Sequence, residues 1–313
     1  MKGLELSSAY FEEYGRPMID NQLAQYKEYI AAGLVGEGSE CLGVDDELSV
    51  DHDFGPAFCI WLPENIYKQV GMQIQNAYDC LPQEYRGYRR ITSAQGGGRV
   101  GVMSIENFYR KYTGYSRAPE DNMEWFRIPE SFLATVTNGK VFMDNLGTFS
   151  NIRAALKSFY PTDVVKKKLA SRCAYIAQSG QYNYPRCMNR GDSYAAYLAC
   201  GEFVKNVLGA LYLLNETYMP YYKWMFRGTE NFRILPDCVD KLRQLVLIPD
   251  TQNNGPRKSQ IIESICVSIG MELNRRGYTR TTDAFLQTHG EELMRGIEDS
   301  RLRNMHIMVD INR

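Results

Sequence analysis

The sequence lacks several features that mark particular classes of protein. It has only three histidines, and its eight cysteines include no CxxC pair, so neither a histidine-rich metal centre, a zinc site nor a disulfide framework is expected. We expect reduced and mostly buried thiols. The longest nearly uninterrupted apolar run, residues 207–214, is far shorter than the roughly 20 residues that cross a bilayer. We therefore expect no membrane-spanning helix.

A secretory signal is also missing from the pattern of the first residues. Acidic side chains begin at Glu5, and there is no long apolar segment or small-residue cleavage site, so we expect a cytoplasmic protein. The 313 residues are 44% hydrophobic and 23% charged, which is the composition of an ordinary folded protein. At about 150 residues for each domain, this length predicts two domains.

Charge is unevenly distributed along the chain. The net charge is -1, yet the first 60 residues hold 12 acidic and 3 basic side chains. Seven of these acids lie in residues 36–56, GEGSECLGVDDELSVDHDFGP. Carboxylates this close together repel one another unless a cation or a basic surface neutralises their charge. Lys166, Lys167 and Lys168 form the clearest basic run. We interpret them as a solvent-facing helix surface rather than a nucleic-acid patch, because the isoelectric point is near 6.4.

Hydrophobic periodicity predicts different architectures for the two halves. Four segments have the length and apolar character of strands: residues 29–35, 48–62, 99–103 and 140–143. The second of these is expected to be interrupted near Gly55 and Pro56. A helical pattern covers residues 65–81, and beyond Pro161 apolar residues recur at three- and four-residue spacing. We therefore predict an α+β domain at residues 1–155, with a mixed sheet and flanking helices, followed by an all-helical domain at residues 156–313.

Two short motifs in the first half suggest chemistry. Gly38 and Ser39 follow the first predicted strand, and Asp51 and Asp53 lie on the next. Side chains two residues apart project from one face of a strand, about 6–7 Å apart, so both carboxylates can share one cation. Paired carboxylates suit Mg²⁺, while a glycine admits a phosphate close to the backbone and a serine offers a hydroxyl. Taken singly, each motif is also consistent with a plain turn or with exposed strand acids.

These residues resemble the signature of the polymerase-β-like nucleotidyltransferase superfamily, in which a glycine-serine pair precedes two aspartates one residue apart. Residues 36–56, together with YNYPRCMNRGD (182–192) and YMPYYKW (218–224), resemble an uncharacterised bacterial branch that is similar to kanamycin nucleotidyltransferase. The resemblance implies a nucleotidyltransferase-type fold and the transfer of a nucleoside monophosphate from an NTP, expected to be ATP, to a hydroxyl, with release of pyrophosphate. It implies that Asp51 and Asp53 bind Mg²⁺ or Mn²⁺.

The resemblance also assigns roles that this chain fulfils only in part. It implies that Lys223 reaches the nucleotide phosphates, whereas a lysine among aromatic residues is by itself more typical of a surface group. Relatives often carry a third acid where this chain has Gly101, and an arginine where it has Leu42. Glu106 is a candidate replacement for that acid, although an acid in a first helical turn more often complements the helix dipole.

Two functions therefore stay open. The first is a magnesium-dependent nucleotidyltransferase that modifies a hydroxyl of a small molecule or a protein; a nucleic-acid acceptor is not expected, with tRNA as the exception. The second is a nucleotide-binding regulatory module that keeps the fold without turnover. The intact pair of Asp51 and Asp53 favours an enzyme, because adjacent like charges cost stability when nothing neutralises them. Residues 182–192 either line the acceptor pocket or form an interhelix loop.

Overall fold

The computed structural model describes residues 1–50, 54–90 and 97–311. The strands are β1 (Ala31–Leu34), β2 (Cys59–Leu62), β3 (Glu84–Tyr85), β4 (Tyr88–Arg89), β5 (Gly101–Ser104) and β6 (Lys140–Asp144). The α-helices of the first half are α1 (Gly3–Tyr10), α2 (Arg16–Gln22), α3 (Ser39–Leu42), α4 (Glu64–Asp79), α5 (Ile105–Thr113), α6 (Asn122–Arg127), α7 (Glu130–Thr137) and α8 (Thr148–Lys157). Those of the second half are α9 (Thr162–Ile176), α10 (Tyr184–Asn189), α11 (Ser193–Leu214), α12 (Pro236–Leu247), α13 (Gly255–Arg275), α14 (Leu286–Arg295) and α15 (Ser300–Arg303). The π-helical segments Phe11–Gly15 and Ala177–Asn183 continue α1 and α9.

Four strands form a mixed sheet in the order β5-β2-β1-β6. β1 pairs antiparallel with both β2 and β6, whereas β2 and β5 are parallel. A parallel pair needs a crossover connection, and α4 lies within the one that joins β2 to β5. β3 and β4 form a separate two-stranded ribbon in the same crossover.

Alternate side chains of β2 enter two different cores. Ile60 and Leu62 belong to a buried cluster with side chains of α1, α2 and α4. Trp61 points to the other face, where it stacks on Phe149 of α8 at a centroid distance of 4.0 Å and meets Phe108 of α5 edge-on. Helices therefore cover both faces of the sheet, which explains why the strand is apolar throughout.

The chain divides into two compact units. The first comprises Met1–Pro119 and Ile128–Ser158, and the second comprises Glu120–Arg127 and Phe159–Arg313. The first unit holds the mixed sheet and its flanking helices, and the described part of the second is helical, so the predicted α+β fold with a helical second half is confirmed. The sequence placed the division after residue 155 and did not predict that α6 would belong to the second unit.

Helix α11 is the longest apolar element of the second unit. By length and composition, an 18-residue window of this helix passes as a membrane span, although it contains no long uninterrupted apolar run. However, 67% of that window is buried within the fold, where α11 packs against α9 and α10. This is the burial expected of a core helix.

The predicted strand at residues 48–62 is wrong over most of its described length. Only Cys59–Leu62 forms a strand, and Glu47–Val50 forms a 3₁₀ turn instead. Gly55 adopts φ +129°, and a Cβ there would lie 2.7 Å from the carbonyl oxygen of Arg89. The regular strand begins only at Cys59, after the interruption that the sequence predicts near Gly55 and Pro56.

The prediction of a solvent-facing lysine surface is wrong for Lys167 and Lys168, which are fully buried on α9. Lys167 donates to the carbonyls of Ile307 and Val309 at 3.0 and 2.7 Å, and Lys168 pairs with Asp310 at 3.1 Å. The C-terminal segment lies over this face of the helix, so the two ammonium groups meet protein acceptors instead of water. The prediction missed this because the covering segment is distant in sequence.

Candidate functional site at the Gly38 turn

The chain leaves β1 through a glycine-rich loop, residues 36–43, which we call the Gly38 turn. Ser39 begins the short helix α3, and Gly43 ends it with φ +71°. Gly38 adopts φ +124° and ψ 148°, a backbone conformation that residues with a Cβ atom rarely adopt. A Cβ at this position would also overlap the guanidinium of Arg99 and the carboxylate of Glu40. Both backbone conformation and space therefore require a glycine at residue 38.

Asn138 holds the start of the turn from the neighbouring strand connection. Its Oδ1 accepts the N–H of Gly36 at 3.0 Å, and its Nδ2 donates to the carbonyl of Gly36 at 2.7 Å. The next residue, Gly139, donates its N–H to the carbonyl of Cys41 at 2.7 Å, and Arg153 donates to the carbonyl of Asn138 at 2.7 Å. The Gly38 turn is thus bound to the β6 side of the sheet at both of its ends.

Arg99, just before β5, approaches the Gly38 turn from the opposite edge of the sheet. Its Nη2 donates to the carbonyl of Glu37 at 2.6 Å and to Oε1 of Glu40 at 2.7 Å. Burial raises the pKa of Glu40, and the charge of Arg99 offsets only part of this rise. An acid that is costly to bury is therefore kept beside the turn together with its cation.

Glu37 carries a second, more exposed set of contacts. Its Oε1 lies 3.0 Å from the Lys111 ammonium and accepts the Tyr112 hydroxyl at 3.0 Å. Burial alone would raise the pKa of Glu37, but Lys111, Tyr112 and Arg99 outweigh burial and hold it below its usual value. Burial and the neighbouring Glu37 raise the pKa of Tyr112, so this hydroxyl stays a proton donor. Two cations from the β5–α5 segment thus flank the Gly38 turn.

Asp45, within the acidic segment, has partners in α1. Its Oδ2 accepts the N–H of Gly3 at 2.8 Å, its Oδ1 lies 3.8 Å from the Lys2 ammonium, and Lys2 also contacts its carbonyl. Two hollows of about 530 and 670 Å³ share Lys2, Glu5 and Asp45 in their linings. The first is also lined by Glu40, so space of the volume typical of ligand pockets adjoins the Gly38 turn.

The predicted site residues fall into three groups. Gly38 and Ser39 lie together in the Gly38 turn, where both are partly exposed. Asp51 and Asp53 lie outside the described residues, so their placement on a strand and their role stay predictions. Lys223 lies on an exposed 3₁₀ turn of the second unit, with its ammonium 4.7 Å from the centre of the Trp224 ring. Within residues 1–50, 54–90 and 97–311, no group of three or more His, Cys, Asp or Glu side chains is arranged to hold a metal ion.

Gly101, which the resemblance places where relatives carry a third acid, begins β5 and pairs with Cys59 of β2. It adopts φ +99°, and a Cβ there would lie 3.0 Å from Oε1 of Gln75, which accepts the N–H of Val102 at 2.8 Å. Gln75 therefore occupies the space beside this position. Glu106 lies in the first turn of α5, and its Oε2 is buried without a hydrogen-bond donor among the residues that the structure describes.

The segment at residues 182–192 comprises the end of the π-helical segment Ala177–Asn183, α10 and the turn into α11. The Tyr184 hydroxyl donates to Asp250 at 2.9 Å, and Asp192 caps α11 by accepting the N–H of Ala195 at 3.0 Å. An open groove of about 360 Å³ lies between the π-helical segment Ala177–Asn183 and α11, and its lining includes Asn183 and Cys187. The segment therefore has both a structural role and a place beside a hollow of its own unit.

Arg99 and Asn138 hold the Gly38 turn in place, and the sequence motifs did not reveal either of them. The sequence marks Asn138 only as the first residue of an Asn-Gly turn, and Arg99 only as the residue after a run of three glycines. Neither pattern states which distant backbone the side chain will contact. Their separation from the turn, 102 residues for Asn138 to Gly36 and 62 for Arg99 to Glu37, explains why local motifs could not reveal them.

Comparison with known proteins gives matches to a family model and to solved structures. A family model described as a domain of unknown function, DUF4037, matches residues 125–225. One of the solved structures is a nucleotidyltransferase-like protein from Exiguobacterium sibiricum 255-15, with 12% sequence identity and a TM-score of 0.39. The alignment covers 85% of this chain and 79% of that protein's chain. No curated protein matches the sequence. The expected similarity to kanamycin nucleotidyltransferase is in neither match and stays a prediction.

Proposed function

We propose that this protein is a nucleotidyltransferase that binds a nucleoside triphosphate, with ATP as the expected substrate, at the Gly38 turn. The observation that carries the proposal is the turn itself, which follows a central strand of a mixed sheet and requires glycine at residue 38. Arg99 beside it supplies positive charge, and a hollow of ligand size adjoins it. Polyphosphates are bound by glycine-rich turns of this kind because the backbone can approach the anion closely.

Asp51 and Asp53 are proposed to hold Mg²⁺ or Mn²⁺. Two carboxylates one residue apart are hard oxygen donors, which is the donor set that Mg²⁺ takes when phosphate oxygens and water complete its coordination. The bound ion would neutralise charge on the triphosphate and orient it. Lys223 of the second unit is proposed as a further phosphate ligand.

The proposed reaction joins an acceptor hydroxyl oxygen to the α-phosphorus of the NTP. The bond between that phosphorus and the oxygen bridging to the β-phosphate breaks, pyrophosphate leaves, and the hydroxyl proton passes to a base. Positioning and electrostatics supply most of the rate in such transfers, because they ask little covalent chemistry of the protein. The acceptor is a small molecule or a protein side chain, with tRNA as the macromolecular exception.

A second candidate is a nucleotide-binding module without turnover. The specific observation in its favour is at Gly101, where the family's third acid is replaced and the Gln75 side chain occupies the neighbouring space. A module of this kind would bind ATP at the Gly38 turn and transfer nothing.

One experiment separates the two candidates. The protein is incubated with Mg²⁺, cell lysate and ATP labelled at the α-phosphate, and ATP binding is measured in parallel by calorimetry. The transferase predicts a labelled acceptor that is lost in Asp51→Ala and Asp53→Ala, while Glu47→Ala, which removes an exposed acid of the same segment, retains it. ATP binding without label transfer by the wild type would favour the module. A wild-type protein that neither binds ATP nor transfers the label would contradict both candidates.

A further inference from the structure

Arg99 contacts the residues on both sides of Gly38 and Ser39. Glu37 directly precedes the glycine and Glu40 directly follows the serine, and the same nitrogen, Nη2, donates to the carbonyl of the first and the carboxylate of the second. One guanidinium group thus spans the two residues that the proposed function assigns to the polyphosphate. Hydrogen bonds between charged partners are about twice as strong as neutral ones, so this link is a strong restraint on the backbone.

The restraint acts where the backbone needs one. Glycine loses more conformational freedom on folding than any other residue, and Gly38 is held in a conformation that it has no side chain to enforce. With the Glu37 carbonyl tied to Arg99, the peptide unit that joins Glu37 to Gly38 keeps one orientation. The direction of the Gly38 N–H is set by the same peptide plane.

Arg99 is itself anchored to the sheet. Its carbonyl accepts the Cys59 thiol at 3.3 Å, and the N–H of Gly101 donates to the carbonyl of Phe58 at 3.1 Å in the adjoining pair of strands. Its side chain is only 14% exposed, whereas the Lys111 side chain is 55% exposed. An exposed ion pair contributes little because water screens it and the side chain stays mobile. Of these two cations, Arg99 is the one fixed well enough to set geometry.

We infer that Arg99 is a positioning residue for nucleotide binding, held in place by Glu40. It keeps the Gly38 turn in the conformation that receives the polyphosphate and places a fixed positive charge beside it. This role depends on the proposed function, because it assigns Arg99 to the same NTP site. Glu40 then serves the site indirectly, by orienting the guanidinium.

The test measures ATP affinity by calorimetry in the presence of Mg²⁺ for the wild type and four variants. Arg99→Met should weaken ATP binding by about tenfold or more, because it removes both the charge and the link to Glu37. Arg99→Lys should recover part of this loss, because an ammonium restores charge but not the planar geometry. Glu40→Gln should weaken binding by about threefold or more, whereas Lys111→Met, the exposed control, should change it by less than about threefold.

Two further measurements distinguish positioning from a general loss of structure. Amide hydrogen exchange of residues 37–40 should accelerate in Arg99→Met while exchange in β1 and β2 is unchanged. In the transfer assay, Arg99→Lys should raise the KM for ATP and leave kcat within about twofold, because it alters binding rather than the reacting groups.

The possible results separate this inference from the proposed function. Wild-type protein that binds ATP, with Arg99→Met binding equally well, overturns the role of Arg99 and leaves the nucleotide site standing. Wild-type protein that binds neither ATP nor inorganic tripolyphosphate overturns both. Equal affinity losses in Arg99→Met and Lys111→Met would show that charge alone matters, and this also contradicts a positioning role.

Discussion

The two units each bring charged side chains out of bulk water, but they do so in different ways. In the first unit, Arg99 and Glu40 pair beside the partly exposed Gly38 turn, and Lys111 lies near the surface. In the second, Lys168 and Arg172 of α9 pair with Asp310, and all three side chains are completely buried. We call the second group, together with Lys167, the α9 cluster.

The two groups differ in which parts of the molecule surround and pair with the charged side chains. In the α9 cluster the chain's own C-terminal segment supplies the acceptors, and Gly209 of α11 makes room for the Arg172 guanidinium, because a Cβ there would lie 2.7 Å from Nε. At the Gly38 turn the charged groups surround a backbone segment that is itself partly exposed. A buried cluster of this kind supports the fold, whereas the charges that border the partly exposed Gly38 turn are the ones that our proposal assigns to ligand binding.

The largest effect on stability is expected from a variant that breaks the α9 cluster. Asp310→Asn removes the buried carboxylate that pairs with Lys168 and Arg172, so the free energy of unfolding should fall by about 3–5 kcal/mol. Asp240→Asn is the matched control: its side chain is 74% exposed and pairs with Arg243, and its loss should cost less than about 1 kcal/mol. Urea unfolding measures both. Similar losses in the two variants would mean that the α9 cluster does not depend on this carboxylate.

A smaller effect is expected at the Gly38 turn. Gly38→Ala meets both an unfavourable φ and the overlap with Arg99, so it should lower the free energy of unfolding by about 2–3 kcal/mol. Gly43→Ala meets an unfavourable φ but nothing within 4 Å, and it should cost about 1 kcal/mol. Thermal unfolding compares the variants. If Gly43→Ala were the more damaging, close packing around residue 38 would not be the reason for its glycine.

The link between the Gly38 turn and Asn138 should contribute less again. Asn138→Ala removes two hydrogen bonds to Gly36 and should cost about 1–2 kcal/mol in unfolding free energy. Asn145→Ala, which removes one longer hydrogen bond of an exposed asparagine to the carbonyl of Lys27, should change it by less than about 0.5 kcal/mol. Chemical denaturation of the two variants side by side tests this. An Asn138→Ala loss no larger than that of Asn145→Ala would show that other contacts hold the turn.

The α9 cluster is also expected to show a pH dependence. Burial lowers the pKa of Lys167 to about 8, with Asp310 opposing the shift and Lys168 adding to it. Between this value and the ordinary value of 10.5, the unfolded chain binds more protons at Lys167 than the folded one, so stability attributable to this residue rises with pH. The difference in unfolding free energy between the wild type and Lys167→Met should therefore grow in favour of the wild type from pH 8 to 10. A difference that stays constant would contradict the lowered pKa.

Hydrophobic patterning predicted much of the fold. The apolar segments became β1, β2, β5 and β6, and the helical pattern at residues 65–81 became α4. The error at residues 48–62 lies before the interruption predicted at Gly55 and Pro56, where Glu47–Val50 forms a 3₁₀ turn instead of strand. Of the candidate site, Gly38 and Ser39 were predicted together, and the structure adds Arg99, Glu40 and Asn138 around them.

The sequence by itself determined most of the elements and the glycine-rich loop after β1, because periodicity and turn chemistry depend on residues a few positions apart. Only the tertiary structure decided which charges meet. Arg99 and Glu40 are 59 residues apart, and Lys168 and Asp310 are 142 apart. Whether a lysine meets water or a carboxylate depends on which distant segment packs over it, and burial in turn decides how strongly that charge must be paired.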